Sequence, residues 1–228
     1  MTNHTEKPDN ARLSLPVKIS GITPQKKNKN RYSLFSEEQF ICGVSADTLL
    51  KFNIQSGKEL TPRLYTKIVH EEELQKIKSY LLNLLSRRDH SAGELKLKAA
   101  KKGFDRSLTG QIIDELQESN YVNDQKFADV YAREKSRLNK WGPQKIKSEL
   151  YKKEIKSCYI EDAIKKLNES LDQRQICVDL VSKRKKTFLR EKDLYKRKQK
   201  IFAYLNRKGF STQTIISATK DLSRILDV

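Results

Sequence analysis

Cysteine is scarce in this chain: its 228 residues hold three, Cys42, Cys158 and Cys177. An odd count at wide spacing excludes a disulfide framework, and reduced thiols in the cytosol are expected. None stands in a CxxC, and the histidines His4, His70 and His90 are scattered, so the ligand spacing of a structural zinc site is missing. Glycine and proline number only 8 and 5, which favours helix over sheet for most of the chain. No apolar run reaches the roughly 18 residues a membrane helix needs, and no signal-peptide core is present. The common catalytic signatures are absent: no GxxxxGKS/T, no GxGxxG after a strand, no GxSxG and no HExxH. No spacing ties a nucleophile to a base. Neither an enzyme nor a cofactor is expected.

Positive charge is what the chain has in excess. It carries 47 Lys and Arg against 29 Asp and Glu, a net +18. A chain this basic repels itself and calls for an anionic partner: nucleic acid, an acidic protein surface or an anionic membrane. Hydrophobic residues make up 36%, enough for modest cores rather than one deep one.

A polar tail is expected to be disordered over residues 1–17. From Lys18 to residue 70 the pattern is strand-rich: "VKISGIT", "NRYSLFS" and "QFICGVS", with Glu37-Glu38 as a hairpin turn and "SADTLLKFNI" as a short helix. From Glu71 the period turns helical. Leu74, Ile77, Leu81, Leu84 and Leu85 share a face, and Glu71 to Glu73 suit a helix start. Ser91 and Glu94 have capping-box spacing, and Gly103-Phe104 fits a helix end. Asp124 is the expected cap of the next cycle, and Gly142-Pro143 separates two further helices.

The cycle runs three times, over 71–120, 121–170 and 171–228. "ELKLKAAKKGF" at Glu94 returns as "KIKSELYKKEI" at Lys145 and "KIFAYLNRKGF" at Lys200. Leu95, Ile146 and Ile201 correspond, as do Ala99, Leu150 and Leu205; Phe104, Ile155 and Phe210; and Leu116, Leu167 and Leu222. These are the residues a three-helix unit buries, so the repeat is a packing repeat. Glu154 stands where the other cycles have Gly103 and Gly209. A non-glycine left-handed residue there costs about 1 kcal/mol, so a different turn is expected.

Two basic features stand out. Residues 181–208 hold twelve Lys and Arg against two acids, including Lys183, Arg184, Lys185, Lys186 and Arg197, with Tyr195, Phe202 and Tyr204 interleaved. Such a segment can track a phosphate backbone; the aromatics read better as core or rim residues than as stacking platforms. Arg133, Arg137 and Lys140 form a stripe at i, i+4 and i+7. Trp141, the only tryptophan, reads as either packing or an interface anchor. The helix–turn–helix spacing is that of DNA readers, but the three cycles do not offer a shared set of base-reading side chains.

"RRDHSAGELKLKAAKKGF" followed by "YVNDQKFADVYAREKSRLNKWGPQKIKSELYKKEI" resembles the RecX family of bacterial recombination regulators. The residues that carry the likeness are Ser91, Glu94-Leu95, Lys102 to Phe104, Tyr121 to Asp124, Phe127-Ala128, Gly142-Pro143 and Ile146. It runs from about residue 70 to 225. The resemblance implies a mostly α protein of tandem three-helix repeats in an elongated, curved array, with the strand-rich N-terminal module of longer members. It implies a cytoplasmic monomer that binds the RecA recombinase filament on single-stranded DNA and lowers its ATPase and strand exchange. Arg87, Arg88 and the basic residues named above would meet filament carboxylates or DNA phosphates. Ala92-Gly93 departs from the family's commoner Arg-containing turn and places a flexible residue at a helix start. A stand-alone DNA-binding protein is the competing reading.

Overall fold

The computed structural model describes residues 14–26 and 28–226, with side chains throughout except at 220, 221 and 223–226. The expected disordered tail falls mostly on residues 1–13, outside the described residues. The chain divides into two bodies between Leu82 and Asn83.

In the first body, β2 (Gly21–Gln25), β3 (Asn28–Ser36) and β4 (Gln39–Ser45) form an antiparallel meander, while β1 (Val17–Lys18) pairs with β5 (Glu59–Leu60). Gln25 of β2 pairs with Asn28 of β3. Glu37 and Glu38 both have positive φ between the paired Ser36 and Gln39, the two-residue hairpin expected there. Helix α1 (Ala46–Lys51) is capped by the Ser45 side chain. Ile19, Leu34, Ile41, Val44, Ile54, Leu60 and Ile68 form the core.

Helix α2 (Pro62–Leu85) starts earlier than the Glu71 the sequence pattern suggested. Glu71 to Glu73 therefore lie mid-helix, and Glu72 is a buried anchor rather than a helix-start charge. Its Oε1 accepts from the Ser45 N–H and the Thr48 hydroxyl, both at 2.6 Å, and Arg31 lies 2.8 Å from its Oε2. Burial pushes this carboxyl up. The Thr48 and Ser45 hydrogen bonds and the Arg31 charge outweigh that and hold it below its ordinary value.

The second body holds α3 (Ala92–Lys102), α4 (Arg106–Glu118), α5 (Asp124–Asn139), α6 (Pro143–Lys152), α7 (Ser157–Ser170), α8 (Gln173–Ser182), α9 (Lys185–Leu189), α10 (Leu194–Lys208) and α11 (Thr212–Leu226). The residues aligned across the cycles are its core. All are buried except Phe104, which is half-buried. Phe127, Ile146, Leu150, Ile160 and Leu167 belong to one cluster, and Cys177, Ile201, Leu205, Phe210 and Leu222 to another. Ser91 caps α3 as expected. Asn123, not Asp124, caps α5; Asp124 instead accepts from the Ala92 N–H at 2.9 Å.

The three turns that end α3, α6 and α10 are alike. Phe104, Ile155 and Phe210 donate their N–H to the carbonyls of Ala99, Leu150 and Leu205. The residue before each has positive φ: Gly103 at 86°, Glu154 at 58° and Gly209 at 92°. Glu154 thus keeps the glycine conformation, and the expected different turn is not found.

These turns also join the repeats. The start of α6 seats on the end of α10: Gly142 N–H donates to Lys208 O at 2.7 Å and Gln144 N–H to Gly209 O at 2.9 Å. The start of α3 seats on the end of α6, where the Ser91 hydroxyl donates to Lys153 O at 3.0 Å. A Cβ on Gly142 would lie 2.4 Å from Gly209 C, and one on Gly93 2.4 Å from Lys153 O. Gly93 is therefore needed for close approach, not for flexibility.

Candidate nucleic-acid and filament interface

The ten cations picked from the sequence separate into groups. Arg87, Arg133, Arg137, Lys183, Lys185 and Lys186 are exposed, and none pairs with a carboxylate among the described residues. Arg88 is tied back: its Nη1 meets Glu94 Oε2 at 2.9 Å and donates to Asp89 O at 2.7 Å. Lys140 is not on the stripe. It is the left-handed residue that ends α5, with φ 53°, so the helical spacing stops before it. Arg197 is not a surface charge. It is 8% exposed and its Nε donates to Glu191 O at 2.9 Å, which fastens the segment before α10 to that helix.

Arg184, picked from the sequence, joins a set of lysines that sequence reasoning missed and that the fold gathers around aromatic rings. Lys153 Nζ lies 5.2 Å from the centroid of Tyr131, and Lys135 Nζ lies 5.2 Å from the same ring. Lys135 is also 5.5 Å from the Trp141 ring, and Lys145 is 4.5 Å from it. The Trp141 ring also packs on the second repeat's core, which is the packing reading. In the third repeat, Arg184 lies 4.8 Å over Tyr204, itself a core residue. Such stacking steadies the ammonium groups by about 0.5–1 kcal/mol each at half-exposed sites. Part of the signal was present: Tyr131 and Lys135, and Trp141 and Lys145, are each an aromatic followed four residues later by lysine.

Lys208 joins the two halves of this set. Its Nζ donates to Asn139 O at 3.0 Å, and its neighbour Gly209 packs against the Cβ of Lys145. Burial, then the Lys145 and Arg184 charges, push its ammonium below the ordinary lysine value. At the other end Lys153 donates to Glu94, which also meets His90 Nδ1 at 2.9 Å. Burial raises the Glu94 carboxyl, but Lys153, Arg88 and His90 outweigh it and hold it at about 2.

Among the described residues no group of three or more His, Cys, Asp or Glu could hold a metal ion. Burial pushes the Cys42 and Cys177 thiols up to about 12, which makes them poor nucleophiles. No helix of the described residues is long and apolar enough to cross a membrane.

Comparison with known proteins places this architecture. Residues 17–61 match the model of the regulatory protein RecX N-terminal domain. Residues 78–116, 123–164 and 172–218 match those of the first, second and third RecX three-helix domains. Regulatory protein RecX of Leuconostoc mesenteroides is 33% identical over 85% of this chain and 72% of its own length. That of Bacillus subtilis is also 33% identical, over 89% of this chain and 76% of its own. A crystal structure of a regulatory protein RecX superposes with TM-score 0.75 at 24% identity, covering 89% of this chain and 98% of that one. RecX from Lactobacillus salivarius gives 0.61 at 26% identity, covering 67% and 98%. Four domains in family order, and relatives matched over most of their length, make this chain a member of the RecX family of regulatory proteins.

Proposed function

We propose that this chain regulates the RecA recombinase, mainly as an inhibitor. It binds the RecA filament on single-stranded DNA and lowers its ATPase and strand exchange during recombination and repair. It acts as a cytoplasmic monomer, by binding rather than by catalysis. The observation that carries this reading is a RecX-family repeat array in a chain whose cations far outnumber its acids. Arg87, Arg133, Arg137, Lys183, Lys185 and Lys186 supply exposed charge for filament carboxylates or DNA phosphates.

The test is the DNA-dependent ATPase rate of RecA from the same organism, with this protein titrated from far below to equal stoichiometry. A fall well below one-to-one is expected, and it favours blocking of the growing end over uniform coating of the groove. No effect at equal stoichiometry overturns the proposal. The aromatic–lysine set favours a second reading, direct DNA binding without a recombinase. A strong sequence preference in a DNA-only control would promote that reading, with the repeats acting as helix-turn-helix modules.

A further inference from the structure

We propose that Lys135, Lys145, Arg184 and Lys208, gathered where the second repeat seats on the third, form a notch that takes the phosphates of a nucleic-acid backbone. The inference deepens the reading above by naming the surface that meets the DNA strand. It rests on that reading only for where the strand comes from.

Three observations meet at this place. First, the four cations are brought together by backbone and ring contacts, not by counter-ions. Lys135 and Lys145 share the Trp141 ring, Lys145 packs on Gly209, and Arg184 lies over Tyr204. None of the four pairs with a carboxylate among the described residues. The acid that feels Lys145, Glu149, is already held by Lys152 at 2.8 Å. Second, the fold bears the cost of bringing like charges together where the α6 start meets the α10 end. An anion would relieve that repulsion.

Third, the chemistry suits phosphate. Three of the four are lysines, compact point charges that can approach a multi-oxygen anion from several sides, and Arg184 adds a fork that matches phosphate oxygens. Lys135, Lys145 and Lys208 are half-buried, so their stems are positioned before binding and little side-chain freedom is left to lose. The ring of Trp141 lies beside the track, where a base could stack.

The experiment uses the full chain without recombinase and a fluorescein-labelled oligo-dT, followed by anisotropy over a range of salt. Lys145→Gln/Lys208→Gln is compared with Lys101→Gln/Lys102→Gln, which removes the same charge from the exposed last turn of α3. The notch pair is expected to weaken binding on the order of tenfold and to flatten the salt slope by about 1.4, two contacts at about 0.7 each. The control pair should change far less. Equal losses in both pairs, or none in the notch pair, overturn the proposal.

Thermal melts check the fold, and Lys145→Arg/Lys208→Arg should restore binding if charge at that place is what matters. Inorganic polyphosphate should displace the oligonucleotide, and polyglutamate of equal charge should not. Equal displacement by polyglutamate rejects phosphate in favour of an acidic protein surface. Because no recombinase is present, this assay and the ATPase titration can fail separately.

Discussion

The backbone N–H of Gly142 donates to the carbonyl of Lys208 at 2.7 Å, so the start of one repeat's middle helix rests on the end of the next. Ser91 and Lys153 repeat the arrangement one unit earlier through a hydroxyl. The joint uses carbonyls that a helix end leaves without partners and amides that a helix start leaves free, so two deficits cancel. It also sets Lys145 beside Lys208, which is how packing creates the basic notch.

Close approach at the joint makes glycine necessary there, whereas the glycine inside α4 is dispensable. Gly142→Ala should destabilise by about 1–3 kcal/mol, because backbone of the next repeat occupies the space. Gly110, inside α4 with nothing within 4 Å of an added Cβ, should behave oppositely. Gly110→Ala should stabilise by about 0.5–1 kcal/mol. Urea unfolding of the two variants checks the contrast, and losses of equal size would remove the joint from the account.

Glu154 occupies a left-handed turn that its counterparts fill with glycine. Glu154→Gly should raise stability by about 1 kcal/mol without altering oligo-dT binding. A stability loss would mean the Glu154 side chain supports the joint more than its backbone strains it.

Arg197 separates charge from structure. Arg197→Ala should cost about 1.5–3 kcal/mol, since a buried charged donor leaves the Glu191 carbonyl. Oligo-dT affinity should stay near that of the parent chain when measured well below the unfolding transition. A tenfold affinity loss with unchanged melting would return Arg197 to the binding surface.

Reversing Arg133 and Arg137 to Glu tests the exposed α5 face. Inhibition of the RecA ATPase should weaken while the melting temperature stays within a few degrees, because neither side chain is part of a core. Unchanged inhibition in the double reversal would take this face out of the filament contact.

The Glu94 cluster makes the first joint acid-sensitive. Its folded carboxyl titrates at about 2, against an ordinary 4.5. The stabilisation is therefore complete above the ordinary value and is lost as pH falls from there toward about 2. His90, held below its ordinary 6.5 by burial, acts in the same direction but at higher pH. Unfolding midpoints from about pH 5 down to about pH 3 should fall less steeply for Glu94→Gln than for the parent chain. Parallel curves would show that Lys153, Arg88 and His90 do not stabilise the ionised form.

The repeats and their buried residues were legible in the sequence, because helix periodicity is local and each cycle spells out the same core. Leu95, Ile146 and Ile201 could be aligned by eye, and they are buried as the alignment requires. The hairpin at Glu37-Glu38 and the cap at Ser91 were legible for the same reason: each depends on a few adjacent residues. The excess of positive charge and the family likeness also needed no coordinates.

Three-dimensional packing decided what charge does at each place. Nothing local distinguishes buried Arg197 from exposed Lys186, or Glu72 beneath Arg31 from the acids on either side of it. Lys140 seemed part of a stripe only while α5 was assumed to continue through it. Lys145 and Lys208 are far apart along the chain, and each sits in an ordinary amphipathic helix. They become neighbours because Gly142 and Gly209 let two backbones touch. Periodicity encodes which face of a helix is buried; only the contacts between repeats determine which cations meet and which find partners.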